Sequence, residues 1–287
     1  MLLMATTRKK KTESLEEQIK NYGSQIKEIK DIVEQVRQTP DVFIGPLGDK
    51  GFLTMIREIL QNALDEILKG VALDANISLT FDERTNAVTV TDHGRGIPHG
   101  MNGKIFGQTH TSSNYEKQLG VYSAGKNGCG GAVTNMLSHS MIIDSFVLGE
   151  GRHTEFVEGH LTKKGETVIP KKDCKGKQGS VITFIPSEAC LNVDKFSLTW
   201  ENVYDLVASI VPLAPIGTTC SFEGIDMNGV IHREDIVNQD GVITHLINMT
   251  QNPYIAPIIV QNDNGTMKMD LCFTYDTSVE NNFEEYQ

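Results

Sequence analysis

From residue 52 to residue 69 apolar side chains return every three or four positions, the spacing of a helix that buries one face. At about 100° per residue, Glu58, Asn62, Asp65 and Glu66 share an arc of about 100°, with Ile56, Leu60, Ala63 and Ile67 on the opposite side. Such a helix must lay its apolar face on a sheet or on other helices, and Gly70 is suited to close it. A solvated helix face has the same polar pattern. The carboxylates and the amide therefore gain chemical meaning only if a second motif faces them.

Downstream, residues 76–81 and 87–91 are rich in β-favouring side chains and flank the turn Asp82-Glu83-Arg84-Thr85-Asn86, which predicts a hairpin. Further strands are expected at 140–148, 155–161, 166–169 and 180–186, after a helix over 131–137. A helix near 198–210 precedes strands at 218–225 and 229–234, a helix at 241–249 and strands at 255–261 and 267–275. Upstream, Ile26, Ile29, Ile32, Val33 and Val36 mark a helix that Thr39-Pro40 stops, and residues 45–51 read as a turn-rich connection. The order predicts an α+β fold, a two-layer sandwich of a mixed sheet with helices on one face. We place this domain at 26–233, after a polar arm at 1–25 and before a second unit at 234–287.

The motif that faces the helix is Asp92-His93-Gly94-Arg95-Gly96-Ile97-Pro98, directly after a predicted strand. Glycines on both sides of Arg95 let a ligand approach the backbone, and a carboxylate at a strand end can accept from an exocyclic amine. Such a loop suits a purine, although a plain turn has the same composition. A third motif, Gly125-Lys126-Asn127-Gly128-Cys129-Gly130-Gly131, opens an apolar helix and would offer N–H groups to phosphate oxygens. It lacks the Lys-Ser/Thr ending of a P-loop and does not follow a strand.

The net charge of −11 argues against a broad DNA-binding surface. The five cysteines, Cys129, Cys174, Cys190, Cys220 and Cys272, form no paired or metal-ligand spacing and read as reduced thiols. No apolar run reaches the length of a membrane span and no signal peptide is apparent, so the expectation is a cytoplasmic protein without a membrane partner.

Together the helix, the Asp-x-Gly-x-Gly loop and the glycine lid resemble the GHKL ATPase superfamily of type II topoisomerases, heat-shock chaperones, mismatch-repair ATPases and histidine kinases. Gly94-Arg95-Gly96-Ile97-Pro98 looks like the version in the gyrase B and ParE-like ATPase subunits of type IIA DNA topoisomerases. Val36-Arg37-Gln38-Thr39-Pro40-Asp41-Val42-Phe43-Ile44-Gly45 is also similar to a stretch of that family. Thr111-Ser112-Ser113-Asn114-Tyr115 and the lid look more eukaryotic or phage-like than bacterial.

The resemblance implies an N-gate module that binds and hydrolyses ATP with Mg2+ and couples dimer closure to DNA strand passage. Glu58 would be the general base and Asn62 the magnesium ligand. Asp92 would read the adenine amine, supported by Ser180, with Gly96 and Ile97 flooring the base pocket and Arg95 pairing with Glu66 at its rim. Ser112, Ser113 and Asn114 would touch ribose and phosphates, and Gly125, Lys126, Asn127, Gly128 and Gly130 would form the lid. Tyr22 would reach the neighbouring subunit's nucleotide, making a homodimer through the N-terminal arm. DNA would be an indirect partner, alongside the cleavage and TOPRIM parts of the enzyme.

His93 and Thr39 depart from the family pattern, and Ala132 stands where eukaryotic members carry a phosphate-binding lysine. The chain also stops before the family's Gln-Thr-Lys loop and reads as an N-terminal fragment with a partial transducer domain. The alternatives are a nucleotide-gated scaffold of the chaperone or mismatch-repair kind and a histidine-kinase-like phosphotransferase. The Arg-Gly-Ile-Pro loop and the Phe43-Ile44-Gly45 entry argue against both.

Overall fold

A computed structural model describes residues 31–108, 129–241, 243, 246, 258–263 and 268–273. The hairpin expected from alternation forms as β1 (Asn76–Asp82) and β2 (Ala87–Asp92), with Ile77, Leu79, Phe81, Val88 and Val90 turned into the core. Next come β3 (Ser138–Val147), β4 (Glu150–Val157), β5 (His160–Ile169) and β6 (Gly179–Pro186), followed by β7 (Thr219–Ile225) and β8 (Ile231–Val237). They make one eight-stranded sheet in the order β5-β4-β3-β6-β2-β1-β7-β8. The sheet is mixed as expected: β1 and β7 run parallel and every other neighbouring pair antiparallel.

Two strand limits differ from the sequence reading. Residues 155–161 do not form one strand, because Glu158 and Gly159 both take positive φ, 50° and 80°, and turn β4 back into β5. Two-residue hairpin turns of this kind need that backbone, and a glutamate in the first place hides the signal. β8 extends past the strand end expected at 234 and ends at Val237, held by Ile236 against the core and by Asn238 Nδ2 donating to the Ala214 carbonyl at 2.7 Å. Beyond it, β9 (Ile258–Asp263) and β10 (Lys268–Phe273) pair as a separate two-stranded antiparallel sheet. Most of the helix expected at 241–249 lies outside the described residues.

Seven α-helices lie among the described residues. α1 (Ile32–Gln38) is capped by Asp31, whose side chain accepts from Val33 N–H at 2.9 Å. The short α2 (Asp41–Ile44) follows Pro40. α3 (Gly48–Leu68) is the predicted helix begun four residues early. The turn expected at 45–51 is confined to its first residues, where Gly45 and Gly48 have φ of 72° and 69°. Then come α4 (Asn102–Gly107), α5 (Gly130–Met136), α6 (Lys171–Cys174) and α7 (Trp200–Ile210), the last closed by a Thr199/Asn202 capping box.

α3 crosses the middle of the sheet with Phe52, Met55, Ile56, Ile59 and Leu60 almost wholly buried. Phe52 meets the Phe81, Phe184 and Phe196 rings at centroid distances of 5.9, 6.3 and 4.9 Å, within the range of favourable aromatic pairs. Replacing Phe52 with Ala should lower unfolding stability by about 3–5 kcal/mol in a denaturant titration. A loss under about 1 kcal/mol would mean that the helix does not pack on the sheet through this residue.

Candidate functional site

Between α3, α5 and the sheet lies a cavity of about 730 Å³, within the size range of small-molecule sites. Its lining is apolar at Ile59, Ala63, Val90, Ile97, Ile105 and Ile182. Among these stand the polar side chains of Asn62, Glu66, Asp92, Arg95 and Ser180. Alternation places Asp92 at the inner end of β2, opposite Ser180 of β6, and helical spacing brings Asn62 and Glu66 to the same opening.

Asp92 is only 9% exposed and accepts from Gly94 N–H at 2.7 Å. Burial pushes its carboxyl up to about 6, and the Glu66 charge adds to this, against the pull of the Gly94 N–H and the Ser180 hydroxyl. The group is thus ionised at neutral pH with little margin. Glu66 shows the opposite net shift: burial works to raise it, but hydrogen bonds and charge from Arg95, with Lys69 nearby, hold it below the usual range. Arg95 grips Glu66 in a fork, Nη2 to Oε1 at 2.8 Å and Nε to Oε2 at 3.0 Å, while its backbone N–H also donates to Oε2 at 3.0 Å.

The glycines are dictated by contact. A β-carbon at residue 94 would stand 2.6 Å from Glu66 Cγ and 2.8 Å from Asp92 Oδ1. Gly96 has φ of 70°, and its β-carbon would stand 2.6 Å from the Phe146 carbonyl oxygen, so both conformation and space exclude a side chain. Ile97 is fixed by Ser145, whose hydroxyl accepts from Ile97 N–H at 2.7 Å and donates to its carbonyl at 3.0 Å.

Beside Gly130 of the cavity wall the Glu58 carboxylate lies against the first turn of α5, where a β-carbon on Gly130 would run into it. Burial holds the Glu58 carboxyl above the usual range against the pull of the neighbouring Arg57, a direction that favours proton acceptance near neutral pH. Burial, and then the Glu58 charge, push the adjacent Cys129 thiol up, so it is not an activated nucleophile. Cys129, Cys174, Cys190 and Cys220 are unbridged.

α5 is anchored by two residues, Asn135 and Arg37, to which no role was assigned from sequence. Asn135 Nδ2 donates to the carbonyls of Phe106 and Gly159 at 2.9 and 3.1 Å, and Arg37 Nη1 donates to those of Met136 and Ser138 at 2.8 and 3.2 Å. A guanidinium on the last carbonyls of a helix is favourably placed.

The structure therefore brings together Glu58, Asn62, Glu66, Asp92, Arg95, Gly96, Ile97, Gly130 and Ser180. Ser112, Ser113, Asn114, Gly125, Lys126, Asn127, Gly128 and Tyr22 lie outside the described residues. Ala132 lines the cavity at 2% exposure. The described cations on the walls are Arg95 and Lys69, which pair with Glu66 and Asp65. No described helix is long and apolar enough to cross a membrane.

Residues 49–187 match the family described as Histidine kinase-, DNA gyrase B-, and HSP90-like ATPase. The chain is similar to the B subunit of type 2 topoisomerase from Aquifex aeolicus, 31% identical over 256 residues covering 85% of the chain and 30% of that protein. It is 33% identical to the gyrase B protein of Thermus thermophilus over 54% of the chain and 25% of the relative. The chain thus matches about a third or less of the length of these relatives. Among solved structures, the 43K ATPase domain of Thermus thermophilus gyrase B, in complex with an aminocoumarin, superimposes with a TM-score of 0.66 at 23% identity. That match covers 84% of this chain and 62% of the other and establishes the fold.

Asp92→Asn keeps an acceptor for Gly94 N–H while removing a buried charge. A carboxyl raised from 3.8 to about 6 on folding destabilises the fold once pH rises through that window, by up to about 3 kcal/mol above it. The variant should therefore melt above wild type at pH 8 and level with it below pH 4, as followed by scanning calorimetry. Equal melting temperatures at pH 8 would show that Asp92 is not held out of water.

Proposed function

The chain belongs to the histidine kinase-, DNA gyrase B- and HSP90-like ATPases, and on that premise we propose that it is the ATP-binding and ATP-hydrolysing gate module of a type IIA DNA topoisomerase. The observation that carries this reading is the cavity lined by Asp92, with the Glu58 carboxylate resting against Gly130 of its wall. The Asp92 carboxylate accepts from the adenine amine, and the apolar lining takes the faces of the base. Gly96 and Ile97 floor the pocket, Ser180 supports Asp92, and Arg95 with Glu66 closes the rim.

Glu58 orients a water molecule and takes its proton as the oxygen attacks the γ-phosphorus. The bond from that phosphorus to the β–γ bridging oxygen breaks, leaving ADP and inorganic phosphate. Asn62 is exposed at the cavity mouth beside Gly131 and offers a side-chain amide oxygen. That donor suits Mg2+, and Asn62 would hold the ion, which would supply charge neutralisation for the phosphates. With Arg95 and Lys69 paired and Ala132 apolar, phosphate neutralisation falls to Lys126 or to a residue of the second unit, with N–H donation from Gly125, Asn127, Gly128 and Gly130 of the lid and contacts to ribose and phosphates from Ser112, Ser113 and Asn114.

In the assembled enzyme the nucleotide would draw two subunits together, Tyr22 of each reaching the other's site, and DNA passage and cleavage would fall to the rest of the enzyme. The work would be cytoplasmic.

Calorimetric titration with a non-hydrolysable ATP analogue and Mg2+ should show binding that Asp92→Ala abolishes. Glu58→Ala should retain wild-type affinity and lose hydrolysis by a factor of at least about 100, whereas undiminished turnover would remove Glu58 from the chemistry. Affinity for the analogue should fall as pH drops below about 6, because a protonated Asp92 no longer offers a charged acceptor. An affinity flat between pH 8 and pH 5 would contradict the adenine contact.

A further inference from the structure

The amide of Gln178, just before β6, spans the gap between two loops. Its Nε2 donates to the Arg95 carbonyl at 2.7 Å and, at 3.4 Å, to the Gly94 carbonyl. Its Oε1 accepts from Leu148 N–H at 3.1 Å, at the tip of the β3–β4 hairpin. Both partners need such support. Residues 94 and 95 have left β2, so their carbonyls have no place in the sheet ladder. Leu148 sits at φ of 51°, a left-handed backbone that disfavours a leucine, and its side chain is 91% exposed, so packing does not hold the tip in place. Only a side chain with both donors and an acceptor can bridge these groups, and the glutamine amide has both. Two residues on, Ser180 faces the Asp92 carboxylate. One short segment therefore supports both the carboxylate and the backbone that follows it.

We infer that Gln178 is a positioning residue for nucleobase recognition, and this rests on reading the cavity as an adenine-nucleotide site. It does not line the cavity. It fixes the backbone of residues 94 and 95, so that Asp92 and the Glu66–Arg95 pair present one rigid edge to the base, and it ties that edge to the hairpin tip at Leu148.

The test is calorimetric titration of the 287-residue chain with a non-hydrolysable ATP analogue, the matching GTP analogue and inorganic tripolyphosphate. Wild type is compared with Gln178→Ala and Gln178→Glu. Gln178→Glu keeps the length and the acceptor for Leu148 N–H but has no donor for the two carbonyls. Both variants should bind the ATP analogue about tenfold more weakly, as expected for the loss of hydrogen bonds that hold a site in shape. Preference for the ATP over the GTP analogue should shrink, and tripolyphosphate affinity should stay unchanged. ATP-analogue affinity within twofold of wild type in Gln178→Glu would overturn the inference. So would an equal loss for all three ligands, which marks a general loss of structure. If wild type binds neither nucleotide, the adenine reading itself fails. Amide hydrogen exchange then still decides whether the clamp exists: protection at residues 94–97 and 148 should drop in Gln178→Ala, and unchanged protection would overturn it.

Discussion

A carboxylate kept from water must be given hydrogen-bond donors or it takes up a proton, and the loop after β2 is organised around that demand at Asp92. Gly94 turns its N–H onto the carboxylate because it has no β-carbon to strike Glu66. Ser180 faces the same group from the next strand. Glu66 brings a second negative charge close by, and the Arg95 fork neutralises it before it can drive Asp92 further toward protonation. Removing any of these would alter the remaining ones, since each acts on the same local potential.

Asp92 and Glu58 are held differently. Around Asp92 the contacts are short and lie within neighbouring strands and the loop that leaves them. The Glu58 carboxylate rests on the first turn of α5, a helix of seven residues too short to be stable by itself. Its position comes from outside, through Asn135 reaching α4 and the β4–β5 turn, and Arg37 reaching back from α1. The resemblance around Val36-Arg37 therefore has a physical basis: the arginine ties the chain's early helix to the helix on which Glu58 rests.

The parts of the fold readable from sequence are those with a strong period. α3, the β1–β2 hairpin and β6 show a plain alternation or helical stripe, and the structure keeps them to within a few residues. The β4–β5 pair is less readable because β5 is an edge strand with most of its residues exposed or half-buried, leaving no clean alternation, and its turn uses a glutamate in a left-handed conformation. In the site, Asp92, Glu66, Arg95 and the glycines announce themselves by type and spacing. Asn135, Arg37, Ser145 and Gln178 do not, because each acts on backbone atoms far away in sequence, and no local pattern records such a partner. The reach of β8 to Val237 is hidden for a similar reason, since its exposed residues 233–235 look like the start of a loop.

One pairing in the sheet governs how the molecule can be assembled. β1 and β7 are direct neighbours with Ile77 opposite Cys220, yet residues 83–218 lie between the two strands in the chain. Joining them closes a long loop, and the entropy lost in closure precedes most of the contacts that repay it. A sheet with such a contact folds slowly compared with one built of hairpins alone. β7 also carries α7, so the far side of the core beneath β1 stays open until this closure has happened. The cavity draws on α3 from one side of the closing loop and on α5 and β6 from within it. A ligand filling it would recognise only chains in which α3 has already met α5 and β6, and would hold those segments together by mass action.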